Sequence, residues 1–129
     1  MGKTANILKS LDGFYFEDLK VGTTEKFSKT ISEADIQTFA EVSGDENPLH
    51  LNPEYAKETI FKGRVAHGIL TASLISTVIG TRMPGPGCIY VAQNLKFKAP
   101  VRAGDIVKAV CTVTAVSYTH LTLPTSDLV

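Results

Sequence analysis

The strongest constraint on the fold is the segment 68–80, which is apolar around much of a helix. Only small residues separate its six large apolar side chains, which are Ile69, Leu70, Leu74, Ile75, Val78 and Ile79. A helix with apolar side chains on more than one face must be covered by other elements. The segment 82–87 contains two prolines and two glycines, so it predicts the end of this helix and a tight reversal.

Alternating apolar residues predict three strands around this helix. The first covers 23–31, where Phe27 and Ile31 share a phase. Two more strands are predicted as an antiparallel pair, over 89–97 and 107–115, on either side of a turn at 103–105. The sequence therefore predicts an α+β fold in which an antiparallel sheet covers the central helix. Three strands would leave an unpaired sheet edge after Ala115.

Two shorter helices are predicted between the first strand and the central helix. Ser32 and Asp35 have the spacing of a capping box, and Gly44 follows the apolar stripe as a stop signal. Asn52 before Pro53 predicts a short helix to about Glu58. The segment between these helices is predicted to be a loop.

Composition narrows the class of protein. The chain has 129 residues, enough for a single domain, and 13 basic residues balance 13 acidic ones. A formal net charge of zero argues against a nucleic-acid or anionic membrane partner. Two cysteines are too few for a disulfide scaffold, and no signal peptide or membrane span is evident, so we expect a cytoplasmic protein.

The C-terminal residues of the chain have a different character from the rest of the sequence. Residues 116–125, VSYTHLTLPT, resemble the translation of a sequencing-library adapter. We therefore expect a single domain over 1–115, lacking its C-terminal strands, and a non-native tail over 116–129. Tyr118 and His120 are accordingly assigned no function.

The densest polar group is the segment 44–50, GDENPLH. Pro48 restricts its own backbone and that of Asn47, so Asp45 and His50 could be aimed at one point. A carboxylate and an imidazole placed in this way can hold one water and exchange protons with it. Taken alone, the spacing favours a simpler interpretation, with a turn cap at Asp45, an Asx turn at Asn47 and a buried or surface histidine.

His67 and Gly68 stand at the start of the central helix. The free N–H groups there could stabilise a carbonyl oxygen that gains negative charge, and Gly68 permits close approach. Taken alone, Gly68 is better explained as a helix N-cap glycine present only for its backbone geometry. The spacing of His67 from Asp45 and His50 matches no metal-ligand motif, so no metal site is predicted.

Taken in order, these motifs resemble a known family. Asp45-x-Asn47-Pro48-Leu49-His50, then His67-Gly68-Ile69, then the segment 97–105 are similar to the MaoC-like dehydratases, in particular the (R)-specific enoyl-CoA hydratases. The similarity extends from about Phe14 to Ala115. It implies the hot-dog fold, an antiparallel sheet wrapped around a long central helix, and a homodimer for the full-length protein.

The resemblance also implies an activity, the reversible hydration of trans-2-enoyl-CoA to (R)-3-hydroxyacyl-CoA without a metal or redox cofactor. Asp45 and His50 match the catalytic pair of the family, and the Gly68 N–H matches the donor to the thioester carbonyl. Three further positions match residues that orient the loop, line the site and form the wall of the acyl pocket, namely Asn47, Ser76 and Ile79.

Three alternatives stay open at this point. The carrier of the acyl group could be acyl carrier protein, with the chain acting as a 3-hydroxyacyl dehydratase. A hot-dog thioesterase also needs a carboxylate and a water, although it would not require the paired His50. A non-catalytic acyl-CoA-binding module would not require the Asp45 and His50 pair at all.

Overall fold

The computed structural model describes residues 19–117, so the predicted tail at 116–129 lies outside the described residues except for its first two positions. The elements in chain order are β1 (Thr24–Thr30), α1 (Glu33–Ser43), α2 (Pro48–Leu51), α3 (Pro53–Lys57), α4 (Gly68–Thr81) and β2 (Ile106–Thr112). Helices and paired strands thus occur together, as the sequence pattern predicts. None of the helices in the described part is long and apolar enough to cross a membrane.

Strands β1 and β2 pair with each other in an antiparallel ladder. At one end of it the Ile31 N–H donates to the Asp105 carbonyl at 2.9 Å, and the Gly104 N–H donates to the Ile31 carbonyl at 2.7 Å. The predicted phases are confirmed, because Ile31, Ala109 and Cys111 are buried. Alternate residues of β2 point the other way and are exposed.

The capping box of α1 is present as predicted. The Ser32 hydroxyl accepts from the Asp35 N–H at 3.0 Å, and the Asp35 carboxylate accepts from the Ser32 N–H at 2.9 Å. The pKa of Asp35 is held below its ordinary value, chiefly by this backbone hydrogen bond from Ser32 and also by Lys29. Gly44 ends the helix in the left-handed conformation at φ 78°.

The prediction of a plain loop between the first two helices was wrong. Residues Pro48–Leu51 form the single turn α2, which begins at Asn47. Proline is well suited to the first position of a helix, and the Asn47 side chain caps the turn by accepting from the Leu49 N–H at 3.0 Å. The next helix, α3, begins after Asn52 as predicted.

The predicted strand over 89–97 is also absent. These residues form neither a strand nor a helix, and the side chains of Ile89, Val91 and Phe97 are exposed. A strand needs a neighbour to receive its backbone hydrogen bonds, and within residues 19–117 the ladder contains only β1 and β2. Alternation in the sequence was therefore not enough to form a strand here.

The central helix α4 begins at Gly68 and ends at Thr81, directly before the proline and glycine segment, as predicted. Leu74, Val78 and Ile79 are buried, whereas Ile69 in its first turn is 53% exposed. In the described part of the chain the helix is therefore covered on one side along its second half, and less completely at its start.

The chain divides into two compact units. The described parts of one unit are 19–27, 74–95 and 109–117, with a core that includes Leu74, Val78 and Cys111. The other unit consists of Ser28–Ser73 and Lys96–Lys108. This second unit contains Asp45, His50 and Gly68.

Candidate active site

Asp45 lies in the turn between α1 and α2, and hydrogen bonds hold it at three points. Its N–H donates to the Ser43 hydroxyl at 3.1 Å, and its carboxylate accepts from the Asn47 N–H at 3.2 Å. Its carbonyl lies 3.0 Å from Nε2 of His67, which donates to it. The carboxylate remains exposed, so a residue with a fixed backbone presents a charged group to solvent.

His50 is placed by the single turn α2. Its N–H donates to the Asn47 carbonyl at 2.9 Å, and its ring is buried. Nδ1 lies 2.7 Å from the Val65 carbonyl. Because a carbonyl oxygen only accepts, Nδ1 carries the proton of the neutral ring, which leaves a lone pair on Nε2. Such a nitrogen can accept a proton from water.

The structure brings three titratable side chains together. A carboxylate oxygen of Asp45 and one nitrogen each of His50 and His67 lie within 4.8 Å of one another. At its near-tetrahedral angle, one water molecule joins two acceptors about 4.6 Å apart through two hydrogen bonds of about 2.8 Å each. The Asp45 carboxylate and His50 can therefore hold a single water between them.

These three side chains also have the donor types of a metal site, and the ring geometry bears on that possibility. The imidazoles of His50 and His67 lie face to face, with centroids 3.9 Å apart and planes tilted by 32°. A metal ion takes imidazole nitrogen at about 2.0–2.1 Å along the ring plane. Two stacked rings cannot both aim at one such point unless one of them turns. The arrangement suits a water better than a metal ion.

Gly68, the first residue of α4, lies on the same cavity as His50. Its N–H is one of the helix-terminal donors that have no acceptor within the helix. A Cβ at this position would stand 2.9 Å from the Phe97 ring, so only glycine fits without displacement. The cavity has a volume of about 370 Å³. Its lining residues are His50, Phe61, Val65, Ala66, Gly68, Ile69, Thr71, Phe97, Lys98, Ala99, Pro100 and Val101.

The sequence that forms this site is similar to sequences of known proteins. Residues 18–121 match the family model described as the MaoC like domain. The chain belongs to the MaoC-like domain family. It is 61% identical over 100 residues to the (R)-specific enoyl-CoA hydratase of Rhodospirillum rubrum, with coverage of 78% of this chain and 69% of that protein. It is 55% identical over 102 residues to the 3-hydroxybutyryl-CoA dehydratase of Methylorubrum extorquens, with coverage of 79% and 65%.

The solved structures agree with this assignment. The (R)-hydratase from A. caviae involved in PHA biosynthesis superposes with a TM-score of 0.76 at 44% identity, covering 79% of this chain and 77% of that one. The MaoC-like chain therefore has the hot-dog fold that the motifs predicted. It spans about two thirds of the length of the two curated relatives, 69% and 65%.

Two predicted site residues of this MaoC-like chain belong to the other compact unit. Ser76 and Ile79 are in the second half of α4, which belongs to the other unit. Ser76 is exposed, whereas Ile79 is buried and lines a small cavity of about 20 Å³ beside Cys88 and Tyr90. Neither occurs among the described residues that line the His50 cavity, so their roles stay predictions.

The two thiols do not offer a nucleophile. Burial raises the pKa of both Cys88 and Cys111 above the ordinary value of a cysteine. At neutral pH both side chains are therefore protonated, and a thiol is a far weaker nucleophile than a thiolate. Cysteine-based covalent chemistry is not supported in the MaoC-like chain.

Sequence reasoning missed the contribution of His67 to the site. The structure places it against both Asp45 and His50, whereas its position in the sequence suggested only that it precedes Gly68. The one available signal was a histidine directly before the glycine of a helix N-terminus. Linear spacing could not show that the two loops meet.

Proposed function

We propose that this chain catalyses the reversible hydration of trans-2-enoyl-CoA to (R)-3-hydroxyacyl-CoA. The observation that carries the proposal is the convergence of three groups in one unit. The Asp45 carboxylate lies within 4.8 Å of an imidazole nitrogen of His50, and the Gly68 backbone opens onto the cavity that His50 lines. The names of the relatives, an (R)-specific enoyl-CoA hydratase and a 3-hydroxybutyryl-CoA dehydratase, support the same chemistry.

Each group has a separate task in this mechanism. The Asp45 carboxylate accepts one O–H of the water and aims its oxygen at C3 of the enoyl group. Nε2 of His50 accepts the other hydrogen, and its lone pair is available because Nδ1 donates to the Val65 carbonyl. As the oxygen bonds to C3, the electrons of the double bond move towards the thioester oxygen, and His50 then passes its proton to C2. Water is thus added as OH at C3 and H at C2.

The Gly68 N–H stabilises the charge that develops in this step. The thioester oxygen becomes enolate-like, and a backbone N–H at a helix N-terminus donates to it at a point of positive potential. Glycine leaves the donor accessible, because a side chain here would enter the space next to Phe97. Asn47 contributes by capping α2 and so holding His50 in place.

The proposed carrier is CoA, and the proposed assembly of the full-length protein is a homodimer. The same residues could dehydrate a 3-hydroxyacyl group carried by acyl carrier protein, since the chemistry at C2 and C3 is identical. A thioesterase would instead release a free thiol, and a binding module would leave the enoyl thioester unchanged. The products therefore separate the thioesterase and the binding module from the other two possibilities, and the rates with CoA-linked and carrier-protein-linked substrates separate those two.

The test uses protein expressed from the native gene, including whatever the gene encodes after Ala115. Loss of enoyl-thioester absorbance is followed for wild type, Asp45→Asn, His50→Ala and Glu46→Gln. We expect the first two variants to lose about 10²-fold or more, the range for a single acid–base group. Asp45→Asn retains an oxygen for the Asn47 N–H, so its fold should be unchanged.

Glu46→Gln is the matched control, because Glu46 is an exposed carboxylate directly beside Asp45. It should retain the activity of the wild type. Near-normal rates in Asp45→Asn or His50→Ala would contradict the proposed mechanism. Thiol release from the wild type would favour the thioesterase instead.

A further inference from the structure

His67 is a buried ring that contacts both members of the proposed catalytic pair. It is 2% exposed, and its Nε2 lies 3.0 Å from the Asp45 carbonyl oxygen. Its ring centroid lies 3.9 Å from that of His50 and 4.8 Å from that of Phe39. One side chain therefore links the Asp45 turn to the His50 imidazole.

The hydrogen bond determines where His67 carries its proton. The Asp45 carbonyl can only accept, so Nε2 carries the hydrogen of the neutral ring and Nδ1 is left as an acceptor. Nδ1 is buried, and no hydrogen-bond partner for it is present in the described structure. An unsatisfied buried polar atom destabilises the folded state, because it has lost its hydrogen bonds to water.

Packing alone does not explain a histidine at this position. A phenylalanine ring could make the same ring contacts with His50 and Phe39 and would leave no buried nitrogen without a hydrogen-bond partner. The feature that histidine adds is the Nε2–H that holds the Asp45 carbonyl. The hydrogen bond from Nε2–H to Asp45, which orders the site, therefore explains why a histidine with an unsatisfied Nδ1 occupies this position.

We propose that His67 is a positioning residue for the hydration, an inference that rests on the proposed function. Its Nε2–H fixes the Asp45 backbone, and its ring supports the face of His50, so that the two groups keep the separation at which they share a water. His67 is also joined by one peptide bond to Gly68. The hydrogen bond from the His67 Nε2–H to the Asp45 carbonyl is called the tether below. It connects the residue that activates the water to the N–H that donates to the thioester oxygen.

The size of the effect follows from the sensitivity of catalysis to geometry. A displacement of about 1 Å in a reacting group can reduce the rate about 10²-fold. Without the tether, Asp45 keeps its local contacts to Ser43 and Asn47 but loses its link across 22 residues to the start of α4. The loss should therefore appear in kcat, while substrate affinity changes little.

Two variants separate the two features of the side chain. His67→Phe keeps a ring in contact with His50 and Phe39 but removes the N–H, whereas His67→Gln keeps an N–H donor on a flexible chain and removes the ring. We expect His67→Phe to lower kcat about 10- to 100-fold, with KM within about threefold of wild type and thermal stability equal or higher. His67→Gln should recover kcat to within about tenfold of wild type, despite a lower stability.

A second readout does not depend on activity. Hydrogen exchange of the Asn47 amide, which donates to the Asp45 carboxylate, should be at least several-fold faster in His67→Phe than in wild type and slower in His67→Gln than in His67→Phe. If the wild type does not hydrate enoyl thioesters but this exchange pattern is found, the proposed function fails while the tether stands. Unchanged exchange and kcat in His67→Phe overturn the tether. A rise in KM at constant kcat, or equal losses of kcat and stability in both variants, overturns the positioning role.

Discussion

Replacement of Gly68 by alanine should change the stability of this chain little and lower its hydration activity strongly. The added Cβ would lie 2.9 Å from two carbons of the Phe97 ring, where ordinary carbon contacts are about 3.5–4.0 Å. The ring must therefore move by about 0.6 Å or more. Phe97 is 58% exposed, so it can move towards solvent. Alanine also favours the helix by up to about 1 kcal/mol, and we expect a net stability change within about 1 kcal/mol of zero.

The expected effect on activity is much larger. In the proposed mechanism the methyl group would stand beside the N–H that donates to the thioester oxygen and would keep that oxygen away, and loss of one such donor costs about 10²- to 10³-fold in rate. Gly80→Ala is the matched control, since it lies on the same helix and its Cβ would meet nothing within 4 Å. It should stabilise the protein by about 0.5–1 kcal/mol and leave activity unchanged.

The measurements are kcat/KM for enoyl-CoA hydration and the free energy of unfolding in denaturant, for both variants and wild type. A Gly68→Ala protein within threefold of the wild-type kcat/KM would show that the substrate carbonyl does not approach this N–H. A loss of more than about 3 kcal/mol would show that Phe97 cannot move aside, contrary to its exposure.

Three further predictions concern stability. Ser32→Ala removes the N-cap of α1 and should lower the free energy of unfolding by about 1 kcal/mol in a denaturant titration. Because the pKa of Asp35 is lowered in the folded state, its contribution to stability is present above its ordinary value of 3.8 and is lost as the pH falls through the folded value. In Asp35→Asn the free energy of unfolding should therefore fall less steeply than in wild type as the pH is lowered below 3.8. An unchanged slope would contradict this cause. Arg102 donates to the carbonyls of Arg64, at 3.2 Å, and Phe61. Arg102→Met should cost about 1–3 kcal/mol, with Arg102→Lys intermediate, because only the guanidinium reaches both oxygens in a fixed fork; equal stability of all three proteins would refute this account.

Local interactions account for the elements that the sequence predicted correctly. The capping box of α1 joins residues three apart, and the end of α4 follows from prolines directly after it. The inward phase of β2 follows from alternation within seven residues. Each of these signals is complete within a short stretch of chain. For the same reason the order and spacing of the motifs around Asp45 and His50 were enough to identify the family.

The tertiary structure decided the features that depend on distant partners. The alternating segment 89–97 carries the signal of a strand, but within the described residues it has no neighbour to pair with. The lone pair on Nε2 of His50 depends on the Val65 carbonyl, 15 residues away. The place of His67 beside Asp45 depends on a contact across 22 residues. Sequence alone therefore determined helices α1, α3 and α4, the phases of β1 and β2, and the family, because those signals are local. Proton placement and the separation of the reacting groups arise only when distant parts of the chain meet.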